Sequence, residues 1–338
     1  MKNIRLLLLR FFLAVSLIVF FAFFIFACST ETAIQGVLNR SASAPLFLEC
    51  RAISPTEIIF NFSEPVKIKS LNFDFDAEII SIEEGEQVLI TLSEPLMEGI
   101  KITADILVED TNRNTLNVLV PFRSRNDRMP RLLFNELRTE GSNVTNPLTS
   151  RVEFMEFISE SEGNLGAIRV YLASYSIVNP VYEFPAAEVK AGEYIVLHLR
   201  TPSPDCRDET GSDLALSGGN EATPNSREFW VPGSAKRLRK TDIAYIVDQD
   251  DRVLAGVLLK ENPDTPWSTP ALAAAADLLI SQGAWLSEDV IHSASTTTTR
   301  TISRDETLTH ADRSENWYIT VTSGHTPGRS NIVRRLNP

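Results

Sequence analysis

The sequence predicts an all-β protein of two β-sandwich domains in tandem, set behind an N-terminal signal helix, with a short helical insertion in the second domain. Three observations carry this. From Pro45 onward, apolar residues alternate with polar ones in short runs, the period of a half-buried strand. Proline, glycine, asparagine and aspartate clusters punctuate those runs at turn spacing. Helix-forming composition is confined to two places, the apolar N-terminus and Ala271–Ile280. A length of 338 residues suits two domains.

Residues 1–27 carry Lys2, Arg5 and Arg10 and no acid, and Phe11–Ala27 is an apolar run interrupted only by Ser16. Cys28 follows, and then the polar Ser29-Thr30-Glu31-Thr32. A basic head, an apolar stretch and a small residue at the cut are the parts of a secretory signal. The cysteine directly after Ala27 makes the segment resemble a lipoprotein lipobox. That resemblance implies acylation of the Cys28 thiol, cleavage before it, and a membrane as partner through the lipid. Phe26 stands where a small residue is usual, as in the relaxed boxes of spirochaete lipoproteins. An uncleaved signal anchor and plain secretion are the alternatives, because the run approaches the roughly 20 residues that span a bilayer. All three place the body outside the cytoplasm, and the lipid anchor implies the cell envelope, held to a bacterial membrane and either periplasmic or surface-exposed.

The whole chain has a net charge of −12, and residues 1–27 contribute +3, so the body carries −15. Such a body repels polyphosphate, which argues against broad electrostatic binding of nucleic acid or anionic lipid and makes nucleic acid an unexpected partner. Cys50 and Cys206 are the other two cysteines. An export compartment permits a disulfide, but their spacing does not decide whether they meet.

Residues 28–44 read as a tether, mostly small and polar. Residues 45–124 form the first predicted domain, of about seven short strands. Thr56–Phe62, Gln87–Leu92, Ile100–Val108 and Leu116–Phe122 are four of them, with breakers at Pro65, Glu83-Glu84-Gly85, Pro95 and Asp110–Asn114. Phe62-Ser63-Glu64-Pro65-Val66 resembles the opening of bacterial Ig-like domains of the S-layer type. Asp110-Thr111-Asn112-Arg113-Asn114-Thr115-Leu116 is similar to their late turn, with Arg113 where glycine would supply positive φ. The resemblance implies a spacer or interaction module.

Ser124–Pro130 makes a boundary, and residues 131–338 form the second domain, with insertions near 201–240 and 262–292. Phe134-Asn135-Glu136, Glu153-Phe154-Met155-Glu156-Phe157, Ala191-Gly192-Glu193-Tyr194-Ile195-Val196-Leu197, Arg300, Trp317 and Thr326–Asn331 follow one another in the order of a lamin-tail domain. That family is an Ig-like β-sandwich, and the resemblance gives Glu136 a structural hydrogen bond. Thr201–Lys240 reads as an irregular loop. Pro266 and Pro270 suit the start of a helix over Ala271–Ile280.

Catalytic constellations are hard to find in this chain. His198, His292, His310 and His325 form no H-E-x-x-H pair, and no nucleophile elbow, Walker loop or dinucleotide fingerprint occurs. His198 reads as a rim or packed residue. Asp205, Asp208, Glu209 and Asp213 crowd one loop and are the candidate metal ligands, since calcium takes six to eight oxygens. A solvated loop is the other reading. Asp248, Asp250 and Asp251 read as a hairpin turn. Glu153 and Glu156 are three residues apart and so face opposite sides of one strand. Lys236-Arg237-Leu238-Arg239-Lys240 is the one dense basic run, either a solvated face or a contact for an anionic headgroup or partner. Thr296–Thr299 reads as an exposed strand edge or a linker.

The functional expectation is a non-enzymatic, lipid-anchored envelope protein that binds a protein or another extracellular ligand, without a cofactor. The alternative is an exported metal-dependent phosphodiesterase or nuclease.

Overall fold

The computed structural model describes residues 43–336 apart from 145, 147, 148, 287, 288, 309 and 333. The signal segment, Cys28 and nearly all of the tether lie outside the described residues. Among the described residues no helix is long and apolar enough to cross a membrane. The chain is all-β, and it divides into two compact units.

The first unit is built on six strands: β1 (Phe47–Ala52), β2 (Glu57–Phe73), β3 (Ile79–Glu83), β4 (Gly85–Leu92), β5 (Lys101–Asp110) and β6 (Thr115–Arg123). They run in the order β3-β4-β2-β5-β6, with β1 also on β2. Alternation decides what is buried: Ile102, Ala104, Ile106 and Val108 of β5 point inward, as do Val88, Ile90 and Leu92 of β4.

Pro65 was expected to break the chain, yet it lies inside β2, a strand of 17 residues. The reason is a change of partner. Glu57–Asn61 pair with β4, Val66–Phe73 pair with β5, and the register shifts between Asn61 and Val66. A proline lacks only the N–H that the ladder does not use at such an irregularity. The strand that starts near Thr56 therefore runs on past Pro65, and residues 45–124 hold six strands where about seven were expected. The Asp110 turn keeps its positive φ without glycine: Arg113 sits at φ 70°. Asp110 Oδ1 accepts the N–H groups of Asn112 and Asn114, each at 2.8 Å, and this holds the turn.

The second unit contains two larger sheets. One runs β14 (Ser226–Trp230), β13 (Tyr194–His198), β8 (Phe154–Ser159), β7 (Leu132–Arg138), β18 (Ile302–Arg304), β19 (Trp317–Ile319). The other runs β11 (Tyr182–Glu183), β10 (Arg169–Leu172), β15 (Asp242–Val247), β16 (Val253–Lys260), β17 (Ile291–His292). A small pair joins β12 (Glu188–Val189) to β9 (Gly163–Asn164). Phe134, Phe157 and Leu197 from the first sheet share one buried core with Val170, Ile246 and Val257 from the second. Inside it Phe184 meets Phe157 and Phe229 edge-on, with centroids 6.2 and 5.0 Å apart, an arrangement aromatic rings favour.

The 201–240 segment is not all irregular. Ser226–Trp230 forms β14, parallel to β13 in register Tyr194↔Ser226 through His198↔Trp230. Thr296–Thr299 is neither an exposed edge nor a linker. Thr296 is buried, and its hydroxyl meets that of Thr139 at 2.7 Å. The helical insertion is α1 (Pro270–Ser281). Thr269 caps it by accepting from the Leu272 N–H, and Pro270 occupies the first position, where its missing donor costs nothing. Leu272, Ala275, Ala276 and Leu279 recur at helical spacing and form its buried stripe.

Candidate functional site

The motif residues of the second unit converge on a buried polar seam. The β7–β8 register slips between Phe134 and Glu136, so Asn135 is the extra residue of a bulge and Glu136 stands opposite Glu156. A bulge re-aims side chains, and here it brings two carboxylates together. Glu136 accepts from the Thr301 hydroxyl at 2.5 Å, the Ser303 hydroxyl at 3.2 Å and the Thr326 N–H at 3.0 Å. Glu156 accepts from Asn135 Nδ2 at 2.8 Å and from the Gly328 N–H at 2.6 Å. Asn331 Nδ2 donates to the carbonyls of Asn135 and Arg304. Burial pushes both carboxylates above the usual range, and at Glu156 the neighbouring Glu136 adds to it. The seam thus fastens Thr326–Asn331 to the middle of the sheet. Both carboxylates accept from the chain's own donors, as expected for Glu136, while Asn135 Oδ1 is buried with no hydrogen-bond partner among the described residues.

Glu153 and Glu156 take different partners. Glu153 accepts from Arg200 Nε at 2.6 Å, outside the Glu136 seam. Arg138, fully buried, pairs with Glu221 and lies 4.9 Å from the Phe154 ring. His325 stands 3.5 Å from the same Glu221, and burial together with the Arg138 charge lowers its pKa to about 4.

The four candidate metal ligands are not brought together. Asp208 accepts from the Trp230 N–H at 2.8 Å and the Tyr182 hydroxyl at 2.6 Å. Glu209 accepts from the N–H groups of Glu228 and Ser217, each at 2.9 Å. These two carboxylates pin the loop to β14. Asp205 and Asp213 are exposed, and Asp213 accepts from the Ala215 N–H within its own turn. Among the described residues no three His, Cys, Asp or Glu side chains converge to hold a metal.

Asp248–Asp251 is the expected turn between β15 and β16. Asp248 Oδ1 accepts from the N–H groups of Asp250 and Arg252, and Asp251 has φ 62°. His198 is packed: it is fully buried, stacks on Trp230 at 3.7 Å and meets Glu228 at 2.6 Å. Sequence reasoning missed Glu228 and Trp230 as its partners. The apolar run Phe229-Trp230-Val231 was the signal for the strand that carries them. Cys50 and Cys206 are both free thiols.

A groove lies between the end strands of the two larger sheets. β17 and β19 are end strands, and the groove, of about 610 Å³, is lined by residues of both. Ile291, His292, Trp317, Tyr318 and Arg335 are among its walls. The Arg335 guanidinium lies 5.4 Å from the Tyr318 ring, and the Leu336 N–H donates to Ile319 O. The basic run lies elsewhere on this unit. Leu238 is fully buried and anchors it, Arg237 donates to the carbonyls of Leu199 and Pro232, and Lys236 pairs with Glu140 at 2.7 Å.

The molecule is thus an all-β protein whose second unit keeps its polar motif residues inside. The family model TP_1001_2nd, described as a protein second domain, matches residues 130–319, more than half of the chain, and the chain belongs to that family. It is 29% identical over 187 residues to an uncharacterized protein of Treponema pallidum (strain Nichols), covering 53% of this chain and 46% of that one. The chain therefore spans less than half the length of that relative. Among solved structures it is similar to the N-terminal part of the bacterial S-layer protein SbsC, at 13% identity and a TM-score of 0.25, over 69% of this chain and 48% of that one. A DUF4876 family protein from Bacteroides thetaiotaomicron VPI-5482 is similar at 10% identity and a TM-score of 0.28, over 75% and 84%.

Proposed function

We propose that this chain is a lipid-anchored, non-enzymatic protein of the bacterial cell envelope that binds a protein or another extracellular ligand through its β modules. The groove between β17 and β19 is the observation that carries this reading. It joins apolar area to a few polar groups between the end strands of the two sheets, where the exposed His292 and the half-exposed Arg335 would meet the side chains of a protein partner. The motif carboxylates support it from the other side, because they are committed to holding the fold. Cys28 supplies the attachment in this reading. The first unit acts as the Ig-like spacer that the S-layer-type motif implies, and the second as a lamin-tail-like binding module.

Two measurements test the proposal. Intact mass of the membrane-extracted protein should show acyl mass on an N-terminal Cys28, and an unmodified start at Met1 removes the anchor. Affinity capture from envelope extract should enrich a partner that the double variant His292→Asp, Arg335→Glu no longer holds. Equal capture by the variant, or none by either, removes the groove. Metal-dependent phosphodiester turnover abolished by Asp208→Asn or Asp248→Asn would instead establish the enzymatic alternative.

A further inference from the structure

We infer that the β10–β11 loop and the basic run Lys236–Lys240 together form a docking site for an anionic phospholipid surface. The inference goes beyond the groove and rests on neither the groove nor the Cys28 lipid.

The loop presents three large apolar side chains to solvent within four residues. Tyr175 is 57% exposed, Ile177 43% and Val178 79%. Scattered single exposures of this kind are ordinary, but a contiguous set marks a contact surface. The loop is also built to hold them there. The N–H groups of Tyr175 and Ser176 both donate to Leu172 O at 2.9 Å. Ser176 Oγ accepts from the N–H groups of Val178 at 3.1 Å and Asn179 at 2.8 Å. The apolar tip is therefore a preformed turn.

The basic run lies beside that tip. The Arg237 guanidinium is 6.0 Å from the Tyr175 ring. One buried carboxylate fastens both segments: Asp242 accepts from the Ser174 N–H at 2.9 Å, the Ser174 hydroxyl at 2.5 Å and the Arg239 N–H at 3.2 Å. Between them opens a cavity of about 400 Å³, with Ser174, Lys236, Arg239, Lys240 and Thr269 among its walls. Glu140 and Glu261 also line it, and they lie 2.7 Å from Lys236 Nζ and 3.8 Å from Lys240 Nζ. The Arg239 side chain has no ion pair among the described residues, so the cavity keeps an uncompensated cation.

The occupant must offer anionic oxygens to the cavity and hydrocarbon to the tip at once. A phospholipid does so, with its phosphate at the level of the cations and its acyl chain at the level of Ile177 and Val178. The −15 body would repel an anionic bilayer at long range. Salt screens that repulsion beyond about 8 Å at physiological ionic strength, so the local cations decide the contact.

Hydrogen exchange on the full chain, mixed with preformed vesicles, tests this. Peptides covering 172–181 and 236–243 should exchange more slowly in phosphatidylcholine mixed with phosphatidylglycerol than in phosphatidylcholine alone. Lys236→Glu and Arg239→Glu should each reduce that protection about fivefold, and Ile177→Ser with Val178→Ser should remove it. Unchanged thermal melting shows that the variants fold. Equal protection in both vesicles, or protection that survives all the variants, overturns the inference. Equal protection by inorganic phosphate without vesicles also overturns it, and identifies a free-anion site. Protection that appears only with soluble envelope protein replaces the lipid with a protein partner. Capture through the groove, tested with His292 and Arg335, is read separately, so either idea can fail without the other.

Discussion

The backbone N–H of Thr326 donates to both carboxylate oxygens of Glu136, at 3.0 and 3.3 Å, across 190 residues of chain. With the hydroxyls of Thr301 and Ser303 on the same carboxylate, one side chain closes the end of the second unit onto its central strands. Removing it strands several buried donors, and each unmet buried polar group costs about 1–3 kcal/mol. Glu136→Ala should therefore destabilise the second unit by about 3 kcal/mol or more, read as a drop in the urea midpoint. Exchange at Thr326–Gly328 should rise to the rate of an open loop. An unchanged midpoint would show that the seam does not hold the chain end.

Gly256 and Leu279 set how closely α1 lies on the second sheet. A Cβ at Gly256 would lie 2.2 Å from Leu279 Cδ2 and 3.2 Å from Tyr245 Cβ. Overpacking of this kind costs about 1–3 kcal/mol. Gly256→Val should lower the melting temperature, and Leu279→Ala should lower it further, by about 2–5 kcal/mol of stability. In the double variant the two losses should fall short of additivity, since the smaller side chain makes room for the larger one. Simple addition of the two losses would place the clash elsewhere.

Much of this architecture is legible in the sequence, because local patterns produce it. Val88, Ile90 and Leu92 alternate inward as their spacing requires, and Thr269-Pro270 opens the helix by a local rule. What escapes is set by partners distant in sequence. Pro65 is tolerated because β2 changes partners there, and no local feature reports that. β14 sits in a loop-like stretch and gains its order from β13 and from Asp208 and Glu209, whose oxygens accept its N–H groups. Glu209 illustrates the limit for the site as well. Composition presents it as a candidate ligand, and only the fold shows its oxygens on Glu228 and Ser217. The docking surface was half visible: the basic run stands out, but its neighbour Tyr175 is 62 positions from Arg237 and is joined to it only by the fold.

Asp242 makes stability depend on pH. Burial raises its pKa from 3.8 to about 6, against the opposing hydrogen bonds from Ser174, Ile243 and Arg239. A carboxyl that holds its proton more tightly when folded stabilises the fold most below its unfolded pKa. That contribution is lost as the pH rises through about 4 to 6, and a shift of this size corresponds to about 3 kcal/mol. His325 runs the other way: its pKa falls from 6.5 to about 4, so its contribution is lost as the pH falls through that window. Asp242→Asn isolates the first effect. The stability difference between wild type and variant, from urea melts at successive pH values, should shrink from pH 4 to pH 6.5. A pH-independent difference would mean that Asp242 ionises in the folded chain as it does in the unfolded one.

Arg113 tests whether a glycine position can be occupied at a cost. Its φ of 70° lies in the left-handed region, which costs an L residue about 1–2 kcal/mol. Its side chain is exposed, and its N–H donates to Asp110 O at 3.1 Å, a bond that any residue keeps. Arg113→Gly relieves the backbone but gives the unfolded chain more freedom, which offsets roughly 0.5–1 kcal/mol of the gain. The net effect should be a stabilisation of about 0.5 kcal/mol. Arg113→Val meets the same φ with a β-branched side chain, for which the region is a true outlier, and should lose about 1–2 kcal/mol. The opposite signs make the pair decisive. If calorimetry of the full chain shows both variants shifting the melt the same way, the hydrogen bonds of Asp110 set the turn and backbone strain at residue 113 does not.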